Sequence, residues 1–228
     1  MFDGIWFINS AIRVNQLSVF STEERLEQTK KTLDSIDKYC PNNMKFIFDG
    51  SPFPIENEKE IFRDRPNTVI VHTGDNPDIQ QLGLIGQRSL AETLSFISFL
   101  NWFRQMKFVS KRIYKISGRY ELNDNFVLND SAYERAFVFA DKEASWMPQS
   151  LQERADVYYL YKLRLWHMDS YFLDSFHENL TSIYRDCLTY GIDVEHSYYK
   201  NLHWYKTVEL TKIGVQGIIG PSGDFMDD

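Results

Sequence analysis

Along this chain, short continuous apolar runs alternate with longer stretches whose apolar residues fall at helical spacing, a pattern that predicts strands separated by helices. GIWFINSAI, residues 4–12, reads as a buried strand. STEERLEQTKKTLDSIDKYC follows as a helix: Ser21 or Thr22 can cap it, Glu23 and Glu24 suit its positive end, and Leu26, Thr29, Leu33 and Ile36 share one face. Pro41-Asn42-Asn43 breaks the chain, and MKFIFDGS then predicts a second strand. The charged stretch ENEKEIFRD reads as helical and PNTVIVHTG as a third strand. This β-α-β rhythm predicts an α/β sheet.

DNPDIQQLGLIG reads as a loop before a second strong helix, QRSLAETLSFISFLNWFRQM, in which Leu90, Leu94, Ile97, Phe99 and Leu100 form a broad apolar face. RIYKISGRYEL and AFVFAD predict two more strands, joined by the loop NDNFVLNDSAYER. From about residue 150 the texture changes. VYYLYKLRLWHMDSYFLDSFHENLTSIYRDCLTYG is long, aromatic and helix-compatible, with Gly191 as its C-cap. IDVEHSYYKNLHWYK predicts another helix, and VELTKIGVQGIIG a final strand-like stretch. No repeat, low-complexity linker or domain boundary is visible, so residues 1–228 read as a single domain.

Composition narrows the picture. With 228 residues, 43% of them hydrophobic and 15% aromatic, the chain can bury a substantial core. A net charge of -7 argues against broad nucleic-acid binding, which needs surplus Lys and Arg to neutralise phosphates. Cys40 and Cys187 are far apart and lack CxxC or Cys/His spacing, so buried free thiols are expected rather than a disulfide scaffold or a zinc site. The N-terminal residues show no secretion signal and no segment approaches a membrane span, which together predict a cytoplasmic protein. Asn129-Asp130-Ser131 and Asn179-Leu180-Thr181 are read as chance matches to the glycosylation sequon.

Ligands of open α/β sheets sit beyond the carboxyl ends of the strands, which directs attention to polar residues there. Arg13, after the first strand, can pair with a diphosphate, and Asp49 before Gly50 can accept hydrogen bonds from a base or ribose, although DGSP is equally an ordinary turn. GLIGQR brings Gly86 and Arg88 to a helix start, where backbone N–H groups and a guanidinium can meet a phosphate, while Glu92 one turn on pairs naturally with Arg88. YKISGRYELNDNF concentrates Lys115, Arg119, Glu121 and Asp124. Strict alternation would put Lys115, Ser117, Arg119 and Glu121 on one strand face, which suits a polar site. Glu121 and Asp124 can hold a divalent cation, Mn²⁺ or Mg²⁺, or Lys115 and Arg119 can neutralise diphosphate charge without one. Finally, Asp193-Val194-Glu195-His196 reads either as a helix start or as a proton-accepting cluster.

The ordered set FINSAIRV, FSTEERLEQTKKTLDSIDKYCPNNMKFIFDGS, GLIGQRSLAET and YKISGRYELNDNF resembles bacterial and viral glycosyltransferase-like proteins with a GT-A type nucleotide-sugar domain. The likeness covers roughly residues 5 to 126, with weaker echoes at DVEHSYYKNL and GPSGDF. It implies a GT-A-like, Rossmann-like mixed sheet flanked by helices, with a helical aromatic-rich C-terminal part. It implies a hexosyltransferase-like activity, moving sugar from a nucleotide diphosphate sugar to a hydroxyl acceptor such as a glycan, as in polysaccharide biosynthesis. On that model residues 1–145 form the nucleotide-sugar half and 146–228 the acceptor side. Ser10, Arg13 and Asp49 would lie near the nucleotide, and Gly86 to Glu92 near the donor sugar. Glu121 and Asp124 stand where the family's metal-binding Asp-x-Asp would fall; Glu195 matches an acceptor-side base, with Asp193 as the alternative. Two other classes remain: an inactive glycan- or nucleotide-binding module using aromatics such as Trp146, Tyr159 and Trp204, and, third, a nucleotidyltransferase, whose glycine-rich phosphate loop is missing from FINSAIRV. A homo-oligomer is left open.

Overall fold

The computed structural model describes residues 2–14, 18–128, 131–219 and 223–228. In chain order the first elements are β1 (Phe2–Ser10), α1 (Thr22–Tyr39), β2 (Met44–Asp49), α2 (Glu56–Arg63), β3 (Thr68–His72), α3 (Pro77–Leu84), α4 (Arg88–Gln105), β4 (Ser110–Ser117) and β5 (Tyr120–Leu122). There follow β6 (Phe137–Ala140), β7 (Glu143–Ala144), α5 (Gln149–Ala155), β8 (Tyr159–Leu160), β9 (Leu165–Asp169), α6 (Leu173–Tyr190), α7 (Val194–Leu202), β10 (Thr207–Leu210), β11 (Val215–Ile218) and β12 (Phe225–Asp227).

Seven strands form one mixed sheet in the order β10-β6-β9-β4-β1-β2-β3. β1 pairs in parallel with β2 and β4, whereas β9 runs antiparallel between β4 and β6. Alternation along β1 divides the core. Ile5 and Phe7 join Phe46 and Phe48 on the face covered by α4, α6 and α7; Trp6, Ile8 and Ile47 join Leu33 and Ile36 of α1 on the other. Phe7 contacts Phe99 and Phe103 edge-on, each with centroids 4.9 Å apart, the geometry aromatic quadrupoles favour.

Capping follows the expected rules at two helices. Ser21 Oγ accepts from Glu24 N at 3.1 Å while Glu24 Oε2 accepts from Ser21 N at 2.7 Å, a complete capping box. Gly191 closes α6 with φ +72°, a conformation that favours glycine. Cys40 and Cys187 are buried and free.

Several stretches differ from the sequence expectation. DNPDIQQLGLIG, expected as a loop, contains α3, with Asn76 accepting from Asp78 N at 2.9 Å and Pro77 at the first helical position. The long aromatic run expected as one helix instead opens with β8 and β9, and only from Leu173 becomes α6. β9 is buried on both faces, so it lacks the alternation that marks a half-exposed strand.

RIYKISGRYEL is broken as well. After Ser117 the chain turns at Gly118 and Arg119, and β5 leaves the main sheet to join a small sheet of order β12-β11-β5. A row of hydroxyls on α1 draws it away. Thr29 Oγ1 donates to Gly118 O at 3.3 Å, Thr32 Oγ1 to Tyr120 O at 2.8 Å, and Ser35 Oγ accepts from Leu122 N at 3.0 Å. The segment thus follows α1 toward its C-terminal end, one turn of helix for every two residues of extended chain.

Candidate active site

β1, β2 and β4 run side by side and end at Ser10, Asp49 and Ser117. Beyond these ends opens a cleft of about 490 Å³. Asn9, Ser10, Gly50, Ser117 and Gly118 line it from the sheet, α1 contributes Arg25, α4 contributes Arg88 and Glu92, and Asp193 and Glu195 come from the start of α7. Ser10 is anchored to α1, its Oγ 3.2 Å from Thr29 Oγ1.

Arg25, Arg88 and Arg119 all line this cleft. Burial, then the neighbouring Arg119 and Arg88, push the Arg25 guanidinium down to about 10. Among the described residues Arg25 Nε is buried without a hydrogen-bond partner, and neither Arg25 nor Arg119 joins an ion pair. Gathered cations with an unsatisfied buried donor are the arrangement an anionic ligand relieves. Arg164, also at the cleft, is instead held by Asp228 at 2.5 Å.

The acids occupy the α4 and α7 side. Glu195 Oε1 accepts from Leu163 N at 3.2 Å, and burial raises its carboxyl above the ordinary range, aided by Asp193 and Glu92. A carboxylate so poised can accept a hydroxyl proton nearer neutral pH than a surface glutamate can. Asp193 is committed elsewhere: as the N-cap of α7, its Oδ1 accepts from His196 N at 3.0 Å and lies 2.6 Å from His196 Nδ1. His196 is fully buried and reaches Ser145 Oγ at 2.9 Å through Nε2, which fixes the start of α7 and with it Glu195. Glu92 pairs with Lys115 at 3.1 Å, and Lys115 Nζ also donates to Ser117 Oγ at 3.2 Å and Leu163 O at 2.9 Å. Lys115 is therefore a buried brace beneath the cleft; it is not among the residues that line it.

Several sequence candidates stand outside. Asp49 is fully buried, with Oδ2 accepting from Ile12 N at 2.9 Å and Oδ1 from Ser51 N at 3.0 Å, so it ties the loops after β1 and β2 together. Arg13 turns toward α2 and pairs with Glu58 at 2.7 Å. Gly86, with φ +79°, shapes the turn between α3 and α4 without lining the cleft. Glu121 and Asp124 face a separate depression bordered by Lys31, Asp34 and Lys38 of α1. Asp124 is held there by Lys38 Nζ at 3.4 Å and the Tyr39 hydroxyl. Lys31, Asp34 and Lys38 lie six, nine and thirteen positions beyond Arg25 on α1, so this depression runs from roughly 9 to roughly 20 Å along the helix from Arg25. The hydroxyl row on α1 is the physical reason: it carries the chain past Arg119 away from the cleft.

Of the aromatics, Tyr161, Trp166 and Tyr198 are core, whereas Trp146, Tyr158, Tyr159 and Trp204 are exposed. The first candidate sequon, at Asn129, falls outside the described residues, as does GPS of the C-terminal echo. Asn179 lies within α6, donating to Ser175 O and the Tyr205 hydroxyl at 2.8 Å each. No helix among the described residues is long and apolar enough to cross a membrane.

No family model and no curated protein matches this sequence. The fold does have a match. The crystal structure of the galactosyltransferase LgtC in complex with donor and acceptor sugar analogues aligns over 96% of this chain and 88% of that one, with a TM-score of 0.53 at 7% sequence identity. The chain has the GT-A-like arrangement of a Rossmann-like mixed sheet between helices.

Proposed function

We propose that this chain transfers a sugar from a nucleotide diphosphate sugar to a hydroxyl acceptor. One observation carries the reading: a single cleft at the strand ends of a GT-A-like fold combines clustered arginines with a half-buried carboxylate of raised pKa, Glu195. Ser10 and Gly50 form the donor side, and Arg25, Arg88 and Arg119 meet the diphosphate. Glu195 takes the acceptor proton as the acceptor oxygen bonds to the anomeric carbon. The bond from that carbon to the diphosphate breaks, and its electron pair stays on the departing phosphate oxygen beside the arginines. This is the inverting course. The resemblance of residues 5–126 to GT-A glycosyltransferase-like sequences supports the same reading.

The test is turnover of nucleotide sugars by Glu195→Gln, which keeps the shape and the contact with Leu163 N but cannot accept a proton. Loss of a positioned base lowers turnover by about 10²–10⁴ with donor affinity retained. Undiminished turnover by the variant removes Glu195 from the mechanism, and the absence of any donor binding by the wild-type chain returns the fold to a glycan-binding module presenting Trp146, Tyr159 and Trp204.

A further inference from the structure

A diphosphate leaving group needs its charge balanced, and the family resemblance implies a divalent cation at Glu121 and Asp124. The groups present do not fit one. Those carboxylates face the other depression, with Asp124 bound by Lys38 and Tyr39. Where β4 ends in the cleft the chain offers the hydroxyl of Ser117, the backbone of Gly118 and the guanidinium of Arg119. Of the cleft acids, Glu92 is tied to Lys115, Glu195 accepts from Leu163 N, and Asp193 caps α7. Among the described residues no three His, Cys, Asp or Glu side chains are arranged to hold a metal ion.

Resting on the transferase reading, we propose that the cleft binds the diphosphate of its nucleotide sugar without a divalent cation, through Arg25, Arg88 and Arg119. The three come from different elements, α1, the start of α4 and the turn after β4, so they approach a bound anion from separate directions. Guanidinium is a planar multiple donor, always charged, and suited to holding two phosphate groups at once. A dication set among the same three groups would be repelled by each of them. Arg25 is the most informative member. Its Nε is buried and unpartnered among the described residues, and its guanidinium is disfavoured by burial and by the other two arginines. A diphosphate removes both costs, supplying acceptors and opposite charge.

The experiment is calorimetric titration of the full chain with UDP, GDP, CDP and ADP, in EDTA and again with Mn²⁺ or Mg²⁺, followed by Arg25→Gln and Arg119→Gln. The proposal expects at least one nucleoside diphosphate to bind in EDTA, with affinity changed less than about threefold by either cation. Each variant should weaken that binding by about tenfold or more. Binding that appears only with a cation overturns this inference and leaves the transferase reading standing. No binding under either condition overturns both. Unchanged affinity in both arginine variants also overturns it, and the wild-type comparison decides the matter if a variant fails to fold.

Discussion

Replacing Lys115 by Met separates a structural lysine from a ligand-binding one. Met fills much the same volume but removes three donations, to Glu92, Ser117 and Leu163 O, from a side chain only 2% exposed. Breaking a fully buried pair costs about 3–5 kcal/mol. Here the Glu92 side chain is 32% exposed, so its orphaned charge is partly hydrated, while the Leu163 carbonyl loses a buried donor. The net loss should be about 2–4 kcal/mol, or about 5–15 °C in Tm for a chain of this size. Urea and thermal melts measure it, and a double-mutant cycle with Glu92→Gln should give a coupling of about 1 kcal/mol or more. Titration of the folded variant should show nucleotide affinity within about threefold of wild type. A variant that melts within about 1 °C of wild type yet binds nucleotide tenfold more weakly would refute the assignment.

On the proposed mechanism Glu195 sets a pH dependence. Because burial raises its pKa, the proton-accepting form is lost as pH falls through that raised value, so the acid limb of kcat/KM should lie above the ordinary glutamate range and vanish in Glu195→Gln; a profile flat down to that range would count against it. Asp49→Asn places an amide N–H opposite one of two backbone donors, Ile12 N and Ser51 N, and should cost about 2–4 kcal/mol in a urea melt, whereas unchanged stability would deny it the loop-tying role. Burial pushes the Cys40 thiol up to about 11 and the Cys187 thiol up to about 12, so native protein at pH 8 should react with a disulfide reagent far more slowly than denatured protein. Labelling of both at the denatured rate would contradict that burial.

Much of the framework is legible in residue order because its signals are local. Ser21 with Glu24, the alternation of Ile5 to Ile8, and Gly191 each act within a few residues. The start of α3 was equally available in Asn76-Pro77, but its glycine and polar residues made the stretch resemble a loop. β9 was hidden for the opposite reason: sandwiched between β4 and β6, it carries apolar residues on both faces and shares its texture with the helix that follows. Among the candidate residues, Ser10, Arg88, Glu92, Arg119, Asp193 and Glu195 do reach the cleft. Arg25 escaped notice because a cation in the first turns of an amphipathic helix reads as a solvated surface charge. The departure of Glu121 and Asp124 was invisible too, since it depends on Thr32 meeting Tyr120 O, 88 positions away.

The contacts between α1 and residues 118–122 have a consequence for how this cleft can diversify. Thr29 and Thr32 grip main-chain carbonyls and Ser35 a main-chain amide, so these three contacts hold the segment whatever side chains stand at 119 and 121. Position 119 can therefore exchange one functional group for another while its backbone remains where it is. A lineage built on this scaffold could change the charge presented to its ligand by single substitutions, without first having to rebuild the wall that carries them.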